Sequence, residues 1–119
     1  MKRASFISID DEDVDLILSF ALEDEVLGVR SLILMRTPKF ESLVIEEERG
    51  VRVSLEGQET DEEDSMLVRV TLSSKDIEIA TMTGIYKVDL SKVGKEELDS
   101  VYPFLQKMNF DNKFEISHA

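Results

Sequence analysis

Acidic side chains break this chain's apolar runs so often that most of it can fold only as short, half-buried elements. Of its 26 Asp and Glu residues, 17 lie in four blocks, at 10–15, 23–25, 46–48 and 56–64. The longest uninterrupted apolar run is Leu32-Ile33-Leu34-Met35, far short of the roughly 20 residues needed to span a bilayer. Between the blocks the side chains alternate. Val51, Val53 and Leu55 share one face, as do Met66, Val68, Val70 and Leu72, and period-two alternation is the mark of a strand with one wet face. These two runs read as a hairpin with a long solvated loop between them.

Residues 14–22 fit a strand (Val14, Leu16, Leu18, Phe20, Leu22 on one side) or a helix (Val14, Ile17, Leu18, Ala21, Leu22). The strand is favoured, because Val29 to Arg36 follows a short acidic loop ending at Gly28. Thr37-Pro38 closes that hairpin, since proline cannot donate to a ladder. Phe40 to Ile45 reads as a further short edge strand. Ser73 to Asp76 forms a turn pairing Leu72 with Ile77 and Val70 with Ile79. The apolar phase then flips across Thr81 to Ile85, and Gly84 is the natural place for a bulge or turn that absorbs the extra residue.

Lys95 to Met108 carries a helical stripe of Leu98, Val101, Tyr102, Leu105 and Met108, with acids in its first turn. Pro103 inside it predicts a kink or two pieces. Tyr86 and the methionines at 35, 66, 82 and 108 fit core positions. Phe110, Phe114 and Ile116 suggest a terminal strand. The expected fold is therefore a single α+β domain, residues 1–119. Its sheet is mainly antiparallel, with five to seven strands, and one C-terminal helix packs on one face.

Several chemistries lack their parts. There is no cysteine, and the one histidine, His118, is next to last, so nucleophile–histidine catalysis and zinc ligation find no residues. The five glycines are too scattered for a phosphate-cradling loop. Asp11, Asp13 and Asp15 begin like a calcium loop, but Leu16 stands where the sharp turn needs glycine, and Leu22 where the last ligand should be Glu. Neither a metal nor a cofactor is expected. Paired carboxylates in a cleft between sheet and helix leave an enzyme or ligand-binding domain as the alternative reading.

A net charge of −12 opposes nucleic acid and anionic membrane as partners. The opening residues have a basic start but no apolar core of signal-peptide length, so a cytoplasmic location is the expectation. The leading expectation is a non-catalytic interaction or regulatory domain, of the inhibitor, immunity or adaptor kind, that meets a basic protein surface. Two groups of candidate binding residues follow. One is the acidic loop Glu59, Asp61, Glu62, Glu63 and Asp64. The other is a small basic face of Arg52 and Arg69, joined by Arg30, Arg36 and Lys39 where their strands are neighbours and suited to a carboxylate or phosphate on a partner; its ordinary explanation is pairing with the surrounding acids. Arg36-Thr37-Pro38-Lys39-Phe40 and Glu47-Glu48-Arg49-Gly50 look motif-like without matching a known activity. A homodimer through the Phe40–Ile45 edge is a further expectation.

Overall fold

The alternation becomes strands where both faces of the pleat find suitable surroundings. A computed structural model describes residues 1–12, 14–26, 28–57 and 66–119. Among them are eight strands: β1 (Lys2–Asp11), β2 (Leu16–Asp24), β3 (Gly28–Arg36), β4 (Arg52–Leu55), β5 (Leu67–Leu72), β6 (Asp76–Thr81), β7 (Ile85–Asp89) and β8 (Glu115–His118). Between β3 and β4 lie two 3-10 turns, Pro38–Leu43 and Glu46–Glu48, and between β7 and β8 the helix α1 (Lys95–Met108). The fold is α+β, with one C-terminal helix.

The strands form one mixed sheet in the order β4-β3-β2-β1-β7-β6-β5-β8. Eight strands replace the expected five to seven, and β1/β7 and β5/β8 run parallel. The β2/β3 hairpin forms as expected: Leu18 faces Leu34, Phe20 faces Leu32, and all four are buried. Leu72 pairs with Ile77 and Val70 with Ile79. The phase flip is absorbed by the tight turn Thr81–Gly84, closed by the Thr81 N–H donating to the Gly84 carbonyl at 2.8 Å.

β4 pairs with β3, placing Leu34 beside Val53. Of the predicted hairpin of residues 51–55 with 66–72, the described residues include the antiparallel bridge Arg52↔Met66, beside which the Leu67 N–H donates to Val51 O at 2.8 Å. That bridge joins the two halves of the sheet order, so the sheet curls back on itself around one core. A bulge between Leu67 and Arg69 also breaks the alternation, burying Leu67 and turning Val68 outward.

The helix fills a gap left by diverging strands. β1 pairs with β7 only through Lys2 and Arg3. Beyond that point α1 takes over: the Ile7 N–H donates to Glu97 Oε2 at 2.9 Å, and Lys107 pairs with Asp11. Val101, Phe104, Leu105 and Met108 enter the core. Phe104 thus takes the place predicted for Tyr102, which is 38% exposed and meets His118 edge to face. Pro103 leaves one uninterrupted helix. The backbone bond it removes would have ended on Asp99, and both residues face water, where a free carbonyl is hydrated. Tyr86 packs half-buried against the core, and Met108 lies in it, whereas Met35 and Met82 are exposed.

Candidate functional site

The expected edge strand at Phe40–Ile45 is the largest departure from the alternation, and it produces the most distinctive surface. Pro38 at the start of a helical turn has its fixed φ already suited and no N–H to waste. Phe40, Leu43 and Val44 then follow at helical rather than strand spacing, and the segment turns as a 3-10 helix over Pro38–Leu43. It has no buried residue, so its apolar side chains point outward. The proposed homodimer edge is therefore not a strand at this place.

Arg36 holds this segment to the body of the protein. It ends β3 in phase with Leu32 and Leu34, so its side chain points inward, and it is 1% exposed. All five of its N–H donors are used. Nε and Nη2 reach Glu41 Oε2 and Oε1 at 2.8 and 2.9 Å, and Nη1 and Nη2 reach Asp111 Oδ1 and Oδ2 at 2.8 and 2.7 Å. Nη1 also donates to the Met108 carbonyl at 2.8 Å, capping the end of α1. The guanidinium lies over the Phe110 ring at 4.0 Å. Burial pulls the Arg36 pKa down, but the carboxylates of Asp111 and Glu41 outweigh it and hold it above its ordinary value. The same bond from Arg36 holds the Asp111 carboxyl below the usual range, against its partial burial.

Further ties fix the tip. Glu41 Oε2 accepts the Gly50 N–H at 3.2 Å, and Gly50 has φ +132°, a conformation side chains rarely adopt. Arg49 donates from Nε and Nη2 to the Val44 carbonyl at 3.2 and 3.1 Å. Lys113 Nζ meets Glu46 Oε1 at 2.6 Å, and that hydrogen bond keeps the Glu46 carboxyl below its normal pKa. Thr37 donates to Asp15 at 2.7 Å.

Beside these ties is a cleft of about 180 Å³, lined by Met35, Thr37, Phe40, Glu41, Val44, Glu48, Gly50 and Arg52. Of the residues expected to form a basic face, Arg52 is half-buried on this cleft's wall, opposite Met35 in the β3/β4 ladder. Lys39 is exposed on the 3-10 turn and lines a neighbouring cleft of about 470 Å³ with Lys107 and Phe110. Arg69 is exposed on β5, opposite Ala80 on one side and Glu115 on the other. Arg36 is buried. The four therefore share no common exposed face. The ordinary explanation applies to Arg30, which pairs with Asp24 at 3.6 Å, as well as to Arg36 and Arg49. Glu59, Asp61, Glu62, Glu63 and Asp64 lie outside the described residues, as does Asp13 of the calcium-like run.

Sequence reasoning missed Met35, Phe40, Leu43, Val44 and Ile45 as surface residues. The available signal was the 40/43/44 spacing after Pro38, followed at once by three glutamates. No family model, curated protein or solved structure matches the chain. Among the described residues no helix is long and apolar enough to cross a membrane.

Proposed function

We propose that the protein is a non-catalytic interaction module that binds a basic surface on a protein partner through the face around residues 38–52. One observation carries the reading: exposed apolar side chains and acidic charge coincide on a segment tied down at both ends. Leu43 is 80% and Ile45 63% exposed, and Glu46, Glu47 and Glu48 follow directly. Single exposed apolar residues are ordinary, whereas a contiguous group rimmed by charge is the usual dress of an interaction site.

The alternative, carboxylates poised for acid–base work, calls for converging groups with raised pKa. Among the described residues the displaced carboxyls run the other way. Glu23, Glu46, Asp89 and Asp111 are all lowered, chiefly by hydrogen bonds from Lys92, Lys113, Ser91 and Arg36 respectively, as structural carboxylates are. Among the described residues, the open groove of about 680 Å³ between α1 and β8 is lined by one carboxylate, Glu115.

The test is capture from host lysate at low salt by the wild type and by Glu47→Lys plus Glu48→Lys, read by mass spectrometry. Basic proteins retained by the wild type, released by salt and lost by the variant are the expected result. Equal capture by both proteins refutes the assignment to this face.

A further inference from the structure

Building on that reading, we infer that the cleft at Met35, Phe40, Val44 and Glu48 receives an amphipathic helix of the partner, which inserts one large apolar side chain beside a Lys or Arg.

Volume sets the scale of the inserted group. The cleft holds about 180 Å³, and a cavity of about 150 Å³ accommodates a benzene-sized group. One phenyl or branched aliphatic side chain fits. Met35, Phe40 and Val44 supply its apolar walls, while Leu43 and Ile45 stand exposed nearby in the chain.

Charge sets the company that side chain keeps. Glu41 is paired with Arg36, and Glu46 with Lys113 and Arg49. Glu47 and Glu48 have no ion pair among the described residues, and Glu48 lines the cleft itself. Arg52, which also lines the cleft, already has an interaction of its own. Glu47 and Glu48 are thus the carboxylates left to meet a partner here, and the complementary neighbour of the inserted side chain is a cation.

Backbone bonding separates a helix from a strand as the occupant. An added strand needs free N–H and C=O groups in a row. Here the 38–49 segment is wound into two 3-10 turns rather than extended, and Phe40, Val44, Glu48 and Arg49 donate to Thr37, Glu41, Ile45 and Glu46 while the Val44 carbonyl accepts Arg49. The face offers side chains and no ladder. An occupant that satisfies its own backbone meets that condition, and the ties at Glu41, Gly50 and Lys113 reduce the ordering that binding requires.

Three synthetic probes separate the possibilities: a Leu/Lys amphipathic helix, an isomer with its leucines spread around the helix, and oligolysine of equal charge. Affinity is read by fluorescence anisotropy and location by amide chemical shifts. The amphipathic peptide is expected to bind tightest and to move the signals of Phe40 to Glu48. Leu43→Ser plus Ile45→Ser should weaken it about tenfold or more, equivalent to ~1.4 kcal/mol. Those side chains are so exposed that the variant folds, which an unchanged thermal melt checks. If oligolysine and the spread isomer bind as tightly at the same residues, or the serine variant binds unchanged, the helix inference falls while the basic-surface reading survives. If none of the three binds, both fall. A concentration-dependent dimer abolished by Leu43→Ser identifies a second copy as the occupant and also overturns the inference.

Discussion

Replacing Arg36 with leucine keeps an apolar stem in the core and removes all five hydrogen bonds at once. Removing one partner of a buried ion pair costs about 3–5 kcal/mol, because the other partner stays behind without compensation. Here the stranded carboxylates are not fully enclosed: the Glu41 side chain is 15% and that of Asp111 34% exposed. Both recover part of their hydration, so the low end applies, and the expected loss is about 3 kcal/mol. Unfolding entropy near 60 °C is about 2.1 cal/mol/K per residue. Over 119 residues that gives about 0.25 kcal/mol/K, and a melting temperature lower by about 12 °C. Arg36→Lys keeps the charge but not the planar fork, and should fall between leucine and wild type. Urea unfolding followed by circular dichroism measures the change, and amide exchange at Phe40 and Val44 reports whether the 3-10 segment loosens first. A leucine variant within 1 kcal/mol of wild type, with unchanged exchange there, would show that Arg36 does not hold the segment.

Gly50→Ala should cost about 1–3 kcal/mol, since φ +132° is a region nearly reserved for glycine and the new Cβ would sit 3.0 Å from the Met66 methyl; Gly84→Ala, with nothing within 4 Å, should stay within about 0.5 kcal/mol in the same denaturant titration. Glu97→Ala leaves the Ile7 N–H without its acceptor at the β1/β7 divergence and should cost about 1–2 kcal/mol by thermal melting. Asp111 has a folded pKa below its ordinary 3.8. Its contribution is therefore complete above that value and is lost as pH falls through the folded one, so Asp111→Asn should flatten the acid limb of a stability–pH curve.

The elements legible in the sequence are those whose partner is a near neighbour in the chain. Phe20 opposite Leu32 and Val70 opposite Ile79 follow from parity and a short turn, and both pairs form. Leu98, Val101, Leu105 and Met108 define α1 by spacing alone, though the buried arc is turned toward Phe104. Long-range pairing leaves no such local trace: nothing near Lys2 announces Val88, and nothing near Arg69 announces Glu115. Val68 shows a second limit. One bulge residue inverts the outward side of a strand whose alternation is otherwise sound. At the candidate site the composition of Arg36–Phe40 and Glu47–Gly50 marks the segment, but charge argues for exposure, and parity was the better guide to Arg36. An arginine in phase with Leu32 and Leu34 faces inward and must find carboxylates there.

The ion pairs also bear on how net charge should be used. Several of the acids are paired within the fold: Glu23 with Lys92, Glu41 and Asp111 with Arg36, Glu46 with Lys113. At physiological salt, interactions between exposed charges fade over about 8 Å. A basic partner arriving at the cleft therefore responds to Glu47 and Glu48 and hardly to the −12 of the whole chain. Single reversals distinguish the two views. Glu25 is exposed in the turn before Gly28, at the far end of β3 from Arg36; nine strand residues at about 3.3 Å each put it more than 20 Å away. Glu48→Lys and Glu25→Lys change net charge equally. With the Leu/Lys amphipathic peptide, Glu48→Lys should slow association several-fold in stopped-flow at physiological salt, and Glu25→Lys should leave it nearly unchanged. Equal slowing would mean that the field of the whole molecule governs encounter, and that the acids beside Ile45 hold no special place in it.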